Sequence, residues 1–241
     1  MALAGHPSDL TYSVRYLPRA KILVDGRADE PDWALTRVEN RFVFPWKQAV
    51  APLTEFRALY DDAFLYFTFR VHDEDVVVLD TLRDKQDVVL EDRVEMFFSR
   101  DEQMSEYYAI EVDPLGRTYD YRGAYYRQFD PTWNWPGLET KGTLREQGYE
   151  VEGRIPLASF ESFGFPRLRQ GVKIRCGLYR AEFSHDRSGR PVVQQDSMHT
   201  QGRRAASPPP IEDWISWIDP GTPQPDFHVP SSLGWLQFAE T

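Results

Sequence analysis

The sequence predicts an all-β fold, an antiparallel β-sandwich or barrel, for three reasons. Apolar and polar residues alternate along much of the chain, and no segment of helical period runs beyond about ten residues. The alternating runs are short and are separated by turn residues such as Asp and Gly. Aromatic residues, which favour strands, make up 14% of the chain. Many short strands with almost no helix indicate a sandwich or a barrel.

The first strands are predicted at residues 53–60 and 63–72, and Asp61 and Asp62 provide the turn between them. In the second run, every other residue from Leu65 to Val71 is apolar and lies on one face. The alternate residues, from Phe64 to Arg70, lie on the other face. This pattern predicts a half-buried strand.

Further strands and one short helix follow along the chain. The strands are predicted at residues 93–98, 107–112, 117–126, 142–146, 149–155, 172–183 and 234–238. Gly116 and Gly148 mark two tight reversals, and a helix is predicted at residues 157–163, directly after Pro156. Residues 184–224 are polar and contain three consecutive prolines, which indicates a long loop region interrupted by the apolar run 214–218.

Composition excludes several classes of partner. The net charge of −10 argues against nucleic acid and against anionic membrane surfaces. No apolar run approaches the roughly 20 residues of a membrane helix, and residues 1–10 lack the basic and apolar regions of a signal peptide. A cytoplasmic location is therefore expected if the chain is complete. The single cysteine, Cys176, lies in an apolar run and is expected to be a small buried hydrophobe.

The common nucleotide-binding, zinc-protease and nucleophile-elbow motifs are absent, but glycosidases need no fixed spacing of their carboxylates. Alternation from residue 91 places Glu91, Arg93 and Glu95 on one face of a strand. Acidic residues at the start of an apolar strand form either an ion pair or a ligand contact. The sequence leaves both readings open.

Aromatic residues cluster between residues 107 and 135, where Trp133 and Trp135 lie in a loop bounded by Pro and Gly. Flat aromatic rings stack on the apolar face of a sugar ring, while nearby polar groups bind its hydroxyls. Pockets for small ligands have this general form. The alternative is that these rings fill the sandwich core.

Metal ligands are also present in the sequence. The histidines His72, His185 and His199 have no spacing that demands a metal site. Four turn aspartates could serve Ca²⁺, which takes six to eight oxygen ligands: Asp25, Asp73, Asp75 and Asp113. Their alternative role is to cap turns.

The order of several segments resembles the family-nine carbohydrate-binding modules and their relatives. The segments are IxVDGRADEPDW (22–33), ALYDDAFLYFTFRVHDED (58–75), EDRVEMFFS (91–99), YYAIEVDPLGRTYD (107–120), GYEVEGRIPLASF (148–160), WISWIDP (214–220) and PDFHVPSSLGWLQF (225–238). The likeness begins near residue 20, so the expected organisation is an N-terminal extension, residues 1–19, and one β-sandwich domain, residues 20–241.

The resemblance implies an antiparallel β-sandwich that binds sugar, as an appendage of bacterial polysaccharide-degrading enzymes or as a free-standing protein, with calcium ions supporting loops. It also implies a secreted or periplasmic location. Glu95 matches a sugar-contacting glutamate of the family. Of its two clamping tryptophans, the first falls at Val89 and the second at Phe227. Its arginine and asparagine contacts fall near Glu111 and Asp113.

Three functions follow from these observations. The first is a non-catalytic glycan binder that stacks sugars on Phe227, Trp133 or Trp135 and binds hydroxyls through Glu95, Arg122 and His228. The second is a sugar hydrolase or lyase that uses two carboxylates among Glu95, Glu111 and Asp113, with His228 or His185 as acid or base. The third, from the related haem-binding cytochrome domains, would use Met96, Met104 or Met198 as an axial ligand.

Overall fold

The structure, a computed structural model, describes residues 10–185 and 213–239. Within these residues it contains twelve strands and one α-helix. The strands are β1 (Thr11–Tyr16), β2 (Thr54–Tyr60), β3 (Phe64–His72), β4 (Arg93–Ser99), β5 (Tyr107–Val112), β6 (Thr118–Ala124), β7 (Gln128–Asp130), β8 (Glu139–Arg145), β9 (Gly148–Pro156), β10 (Lys173–Glu182), β11 (Asp213–Ser216) and β12 (Gly234–Phe238). The helix is α1 (Leu157–Ser162), and short 3₁₀ turns lie at Pro31–Leu35, Lys85–Leu90 and Pro230–Ser232.

The strands form two sheets that pack on each other, as the predicted β-sandwich requires. The first sheet has the order β7-β6-β5-β4-β10-β12-β1, and β11 pairs with β10 beyond the end of β12. The second sheet has the order β1-β2-β3-β9-β8. Apart from the two pairings of β1, all strand pairs are antiparallel in the described residues.

Strand β1 connects the two sheets. Its first four residues pair in parallel with β12, and Arg15 and Tyr16 then pair in parallel with β2. Buried Tyr12 fixes this crossing, because its hydroxyl accepts a 2.8 Å hydrogen bond from the backbone N–H of Ala58. The predicted boundary at residue 20 therefore falls inside the folded unit. Local sequence does not predict strand β1, because the strand is short and pairs with the last strand of the chain.

The core lies between the sheets and confirms the predicted alternation in β3. The side chains from Leu65 to Val71 that face inward are at most 2% exposed and belong to one cluster with Phe98 of β4. Helix α1 covers one end of this core, where Phe160 packs edge-on against Phe98 at 5.2 Å. Cys176 is fully buried in the same cluster, as its apolar surroundings predict.

The predicted turns are also present. Asp61 caps the turn between β2 and β3, because its Oδ1 accepts 2.8 Å hydrogen bonds from the N–H groups of Ala63 and Phe64. Gly148, the first residue of β9 after the turn from β8, has φ of +118° and leaves no room for a side chain, since a Cβ there would lie 2.0 Å from the carbonyl oxygen of Val71.

The first sheet is buried on both faces around β4 and β5, where every strand residue is buried. One face contacts the core, and chain segments outside the sheet cover the other. Within the region predicted as a long loop, β11 occupies Asp213–Ser216, while residues 186–212, with His199 and Met198, lie outside the described residues. Among the described helices, none has the length and apolar character needed to cross a membrane.

Candidate functional site

The face of the first sheet that points away from the core carries a second group of buried side chains, here called the outer-face cluster. Alternation places Phe97 of β4, Tyr107 of β5 and Tyr179 of β10 on this face. The cluster comprises Val88, Val89, Phe97, Met104, Tyr107, Ala109, Tyr119, Tyr121, Tyr179, Phe227 and Leu233. The predicted strands alone would leave this face open to solvent, and its aromatic content makes it the first candidate for a ligand site.

Two glutamates and one arginine lie at the edge of the outer-face cluster. Glu95 on β4 and Glu111 on β5 are directly opposite each other, and both contact Arg93. The Nε of Arg93 donates a 2.7 Å hydrogen bond to Glu111 and lies 2.9 Å from Glu95 Oε1. All three side chains are at most 4% exposed. Because one guanidinium contacts two buried glutamates, this group is a fixed element of the site.

The tyrosines of the cluster stay protonated at neutral pH. Burial raises the pKa of Tyr121 and of Tyr179 well above the ordinary value. The hydroxyl of Tyr179 is within hydrogen-bond distance, 2.6 Å, of Ser232 Oγ. These rings therefore act as neutral aromatic surfaces with hydroxyl groups that can donate hydrogen bonds.

The segment that precedes β12, residues 226–233 and here called the covering segment, lies over this face. The ring of Phe227 stacks on that of Tyr179 with 4.2 Å between centroids, and the ring of His228 stacks on that of Phe97 with 5.0 Å between centroids. His228 Nδ1 lies 2.8 Å from the hydroxyl oxygen of Tyr107. Both residues are at most 6% exposed. The structure thus joins Phe227 and His228 to the face that carries Glu95 and Glu111.

Two half-buried tryptophans flank Phe227. Trp46 and Trp214 each have their ring centroid 5.5 Å from that of Phe227. The indole N–H of Trp46 donates a 2.8 Å hydrogen bond to the carbonyl of Thr222, and Trp214 lies over the guanidinium of Arg93 at 5.4 Å. Both residues are only partly buried.

Sequence reasoning missed both tryptophans as site residues. Trp214 lies in the WISWI run, where alternation against β10 sets its side chain on the outer face. Trp46 comes from the irregular segment before β2. Neither position shows a local pattern that links it to Phe227, because the contacts are made between distant parts of the chain.

The structure places four other predicted site residues apart from the outer-face cluster. Trp135 is 3% exposed in the main core, and its indole N–H donates to Ser159 Oγ at 2.7 Å. Trp133 packs beside it, with 5.7 Å between ring centroids. Arg122 is an exposed residue of β6 and pairs across the strands with Asp130 of β7 at 3.1 Å. The Pro- and Gly-bounded loop therefore buries Trp135 in the core and packs half-buried Trp133 against it.

Asp113, the fourth of these residues, belongs to a separate ion-pair network at the end of β5. It accepts hydrogen bonds from the N–H groups of Leu115 and Arg117 and pairs with the side chain of Arg117. Arg117 also contacts buried Glu91 at 2.7 Å, and burial raises the pKa of Glu91 to about 7. This network holds the β5–β6 turn.

Three carboxylates converge at the end of β10, on Asp73, Asp92 and Glu182. One oxygen of each lies within 4.8 Å of the other two. Buried Arg180 pairs with Glu182 and lies 3.8 Å from Asp73, so three carboxyl groups surround one guanidinium. Burial, followed by the charges of Glu182 and Asp73, raises the pKa of Asp92 well above its ordinary value.

These residues fit a divalent cation. Hard cations such as Ca²⁺ take oxygen ligands, and a bound cation would balance the remaining negative charge. The fully buried hydroxyl of Tyr149 interacts electrostatically with all three carboxylates and has no hydrogen-bond partner within the described residues. Of the other predicted calcium ligands, Asp75 pairs with His185 Nδ1 at 2.6 Å, and Asp25 caps a turn by accepting from the N–H of Arg27.

The methionines predicted as haem ligands lie in buried positions on both faces of the first sheet. Met96 is 1% exposed and belongs to the main core. Met104 is fully buried and belongs to the outer-face cluster. Both side chains pack among apolar neighbours.

Solved structures with the same fold include three from two bacterial proteins. A Bacteroides uniformis protein, provisionally described as carbohydrate-binding, shares 18% identity at a TM-score of 0.65, over 95% of this chain and 98% of its own. A family 9 carbohydrate-binding module from Caldicellulosiruptor kristjanssonii in complex with cellotriose shares 18% identity at a TM-score of 0.59, over 96% of this chain and 95% of its own. The same module with glucose gives 18% identity and a TM-score of 0.58, over 96% and 97% of the chains. These likenesses establish the fold.

A search of curated protein sequences finds no match. The family model described as "Carbohydrate family 9 binding domain-like" matches residues 24–201. The match begins just before the DGRADEPDW segment and extends past the end of β10. Because it spans most of the chain, this protein belongs to the carbohydrate family 9 binding domain-like family.

Proposed function

We propose that this protein binds carbohydrate without chemical conversion, at the outer face of its first sheet. The observation that carries the proposal is the arrangement of Trp46 and Trp214 around Phe227, with Trp214 next to buried Arg93. The fixed aromatic surfaces are partly open to solvent, as stacking on a sugar ring requires. Family membership and the sugar complexes of the Caldicellulosiruptor module support the same function.

The tryptophans would supply the stacking surface. Trp46 is held by its bond to Thr222, and Trp214 by strand pairing and its contact with Arg93. A sugar would therefore meet rings that are already oriented, which lowers the entropic cost of binding. Phe227 would support the two tryptophans from the buried side, because it packs between them and Tyr179.

The polar residues predicted from sequence take supporting roles in this proposal. Glu95 and Glu111 hold Arg93, and Arg93 in turn lies under the Trp214 ring. His228 anchors the covering segment through Tyr107. Each of these side chains is nearly excluded from solvent, so we assign them to positioning the aromatic surface.

The carboxylate geometry favours binding over glycoside hydrolysis. A hydrolytic pair flanks the scissile bond with roughly 5 to 10 Å between its carboxyl groups. Glu95 and Glu111 instead both contact the same guanidinium, at 2.9 Å and 2.7 Å. Both carboxylates are therefore engaged by Arg93, and their side chains are at most 3% exposed.

Isothermal titration calorimetry with glucose and cellotriose tests the proposal, with a glycan array to cover other sugars. We expect saturable binding that Trp214→Ala and Trp46→Ala each weaken by about tenfold or more, the effect of losing one well-packed aromatic contact. Trp235→Ala is a matched control, because Trp235 is half-buried on the same sheet but packs on Arg175 at its other end.

The proposal fails if the folded protein binds no saccharide on the array. It also fails if Trp235→Ala weakens binding as much as Trp214→Ala does. Release of reducing sugar from the bound oligosaccharide, abolished by Glu95→Gln, would replace the binding function with hydrolysis.

A further inference from the structure

Two exposed tyrosines lie beside the segment that covers the outer-face cluster. Tyr125 and Tyr126, in the turn between β6 and β7, are 50% and 48% exposed, and their rings meet edge-to-face at 5.3 Å. Exposed large apolar groups that adjoin one another often mark an interaction site. Neither ring belongs to the outer-face cluster.

The turn is connected directly to Phe227 and His228 through Asp226. The hydroxyl of Tyr126 donates a 2.5 Å hydrogen bond to Asp226 Oδ2, while Asp226 Oδ1 accepts from the N–H of His228 at 2.9 Å. Arg127 joins both partners, because it donates to Asp226 at 2.8 Å and to the Tyr126 hydroxyl at 3.1 Å. One carboxylate thus holds the exposed turn and the covering segment together.

The Tyr126 ring is oriented in advance of any ligand. The guanidinium of Arg127 lies 5.6 Å from the centre of the ring, in addition to the two hydrogen bonds at its hydroxyl. The backbone N–H of Tyr125 donates to the carbonyl of Met104 at 3.2 Å, which ties the turn to the outer-face cluster. Aromatic rings fixed in this way offer contact area at little entropic cost.

These contacts connect the two tryptophans to the exposed tyrosines through residues 226–228. Trp46 and Trp214 adjoin Phe227, Phe227 is followed in the chain by His228 and preceded by Asp226, and Asp226 binds Tyr126. A single sugar would occupy the surface at the tryptophans. A chain of linked sugars could continue past Asp226, whose partners can exchange hydrogen bonds with hydroxyls, toward the tyrosines.

We infer that Tyr125 and Tyr126 form an outer subsite that contacts sugar units beyond those held at the tryptophans. The inference rests on the proposed function and extends it in ligand length. The two tyrosines would contribute only when the chain is long enough to reach them. This dependence on length separates a subsite from a general effect on folding.

Calorimetry with two probes, glucose and cellohexaose, tests the inference on the wild type and on Tyr125→Ala. We expect the wild type to bind cellohexaose more tightly than glucose. Tyr125→Ala should weaken cellohexaose binding by about fivefold to tenfold, the effect of one aromatic contact, and leave glucose binding unchanged. Tyr126→Phe, which retains the ring but loses the bond to Asp226, should show a smaller loss with the same dependence on length.

Tyr16→Ala is the matched control, since Tyr16 is a half-buried tyrosine on β1 that bonds Asp62 away from this face. Equal affinity of the wild type for the two probes, or an unchanged cellohexaose affinity in Tyr125→Ala, would overturn the inference while leaving the proposed function in place. Absence of binding to both probes and to the glycan array would overturn both. If Tyr125→Ala instead abolished concentration-dependent self-association without changing cellohexaose affinity, the tyrosines would be a protein contact and the inference would be wrong.

Discussion

The ring of Phe227 lies flat on the ring of Tyr179, with 4.2 Å between the centroids and 17° between the planes. This contact fixes the covering segment on β10, and the same phenylalanine touches Trp46 and Trp214 on its other sides. Phe227 therefore links the buried sheet to the half-open tryptophans.

Removing the Phe227 ring should destabilise the protein and weaken sugar binding together. Phe227→Ala leaves a cavity between Tyr179 and the tryptophans, and we expect about 3 kcal/mol loss in the free energy of unfolding. Urea denaturation measures this loss. Leu23→Ala is the control, because Leu23 is 68% exposed, and its effect should stay below about 0.5 kcal/mol. A loss below about 0.5 kcal/mol for Phe227→Ala would contradict the packing of Phe227 between Tyr179 and the two tryptophans.

His228 and Tyr107 should be energetically coupled. Their contact, 2.8 Å from Nδ1 to the hydroxyl oxygen, is buried, so removing one partner leaves a buried polar atom on the other. In a double-mutant cycle with His228→Phe and Tyr107→Phe, we expect a coupling energy of about 1 kcal/mol. Strictly additive effects of the two substitutions on unfolding would show that the hydrogen bond does not contribute.

Calcium should stabilise the protein through Asp73, Asp92 and Glu182. A ligand that binds only the folded state raises the free energy of unfolding by about 2.7 kcal/mol at about a hundred times its dissociation constant. Thermal unfolding with added calcium and with a chelator measures the effect, and native mass spectrometry counts bound ions. Asp73→Asn should remove the response, while Asp75→Asn, at the neighbouring His185 pair, should retain it. An unchanged melting temperature and no bound ion in the wild type would contradict the metal assignment.

Glu152 should make stability depend on pH in a defined direction. Burial raises its pKa from 4.5 to about 7, although the indole N–H of Trp33 donates to it at 3.0 Å. Between about pH 4.5 and about pH 7, Glu152 therefore holds a proton in the folded protein that it has lost in the unfolded chain. The stabilising contribution is complete below about pH 4.5 and is lost as the pH rises through about 7.

Glu152→Gln removes this ionisation. We expect the free energy of unfolding of the variant, relative to that of the wild type, to increase as the pH rises from about 4.5 to about 8 in paired urea titrations. A difference between the two proteins that does not change with pH would show that Glu152 ionises in the same way in the folded and unfolded chains.

Much of the fold can be predicted from local patterns. The alternation in β3 predicts which side chains enter the core, and Asp61 and Gly148 predict two of the turns. Strand β1 could not be predicted in this way, because its register is set by pairing with β12 at the other end of the chain. Short parallel strands carry little sequence signal of their own.

The candidate site is less predictable, for a physical reason. Glu95 and Phe227 follow from family resemblance, but Trp46 and Trp214 are brought together only when distant segments fold over one sheet face. Trp133 and Trp135 show the opposite case. Their loop composition is typical of an exposed binding loop, yet Trp135 enters the core beside Phe160, and half-buried Trp133 packs against Phe163 of the α1 region.

The most direct test of the central claim is an NMR titration that follows the seven tryptophan indole N–H groups while cellotriose is added to ¹⁵N-labelled protein. The account predicts saturable shifts for Trp46 and Trp214 with one common dissociation constant, and unchanged resonances for the core residues Trp33, Trp135 and Trp217. Saturable shifts centred on Trp133 and Trp135, with Trp46 and Trp214 unaffected, would contradict it.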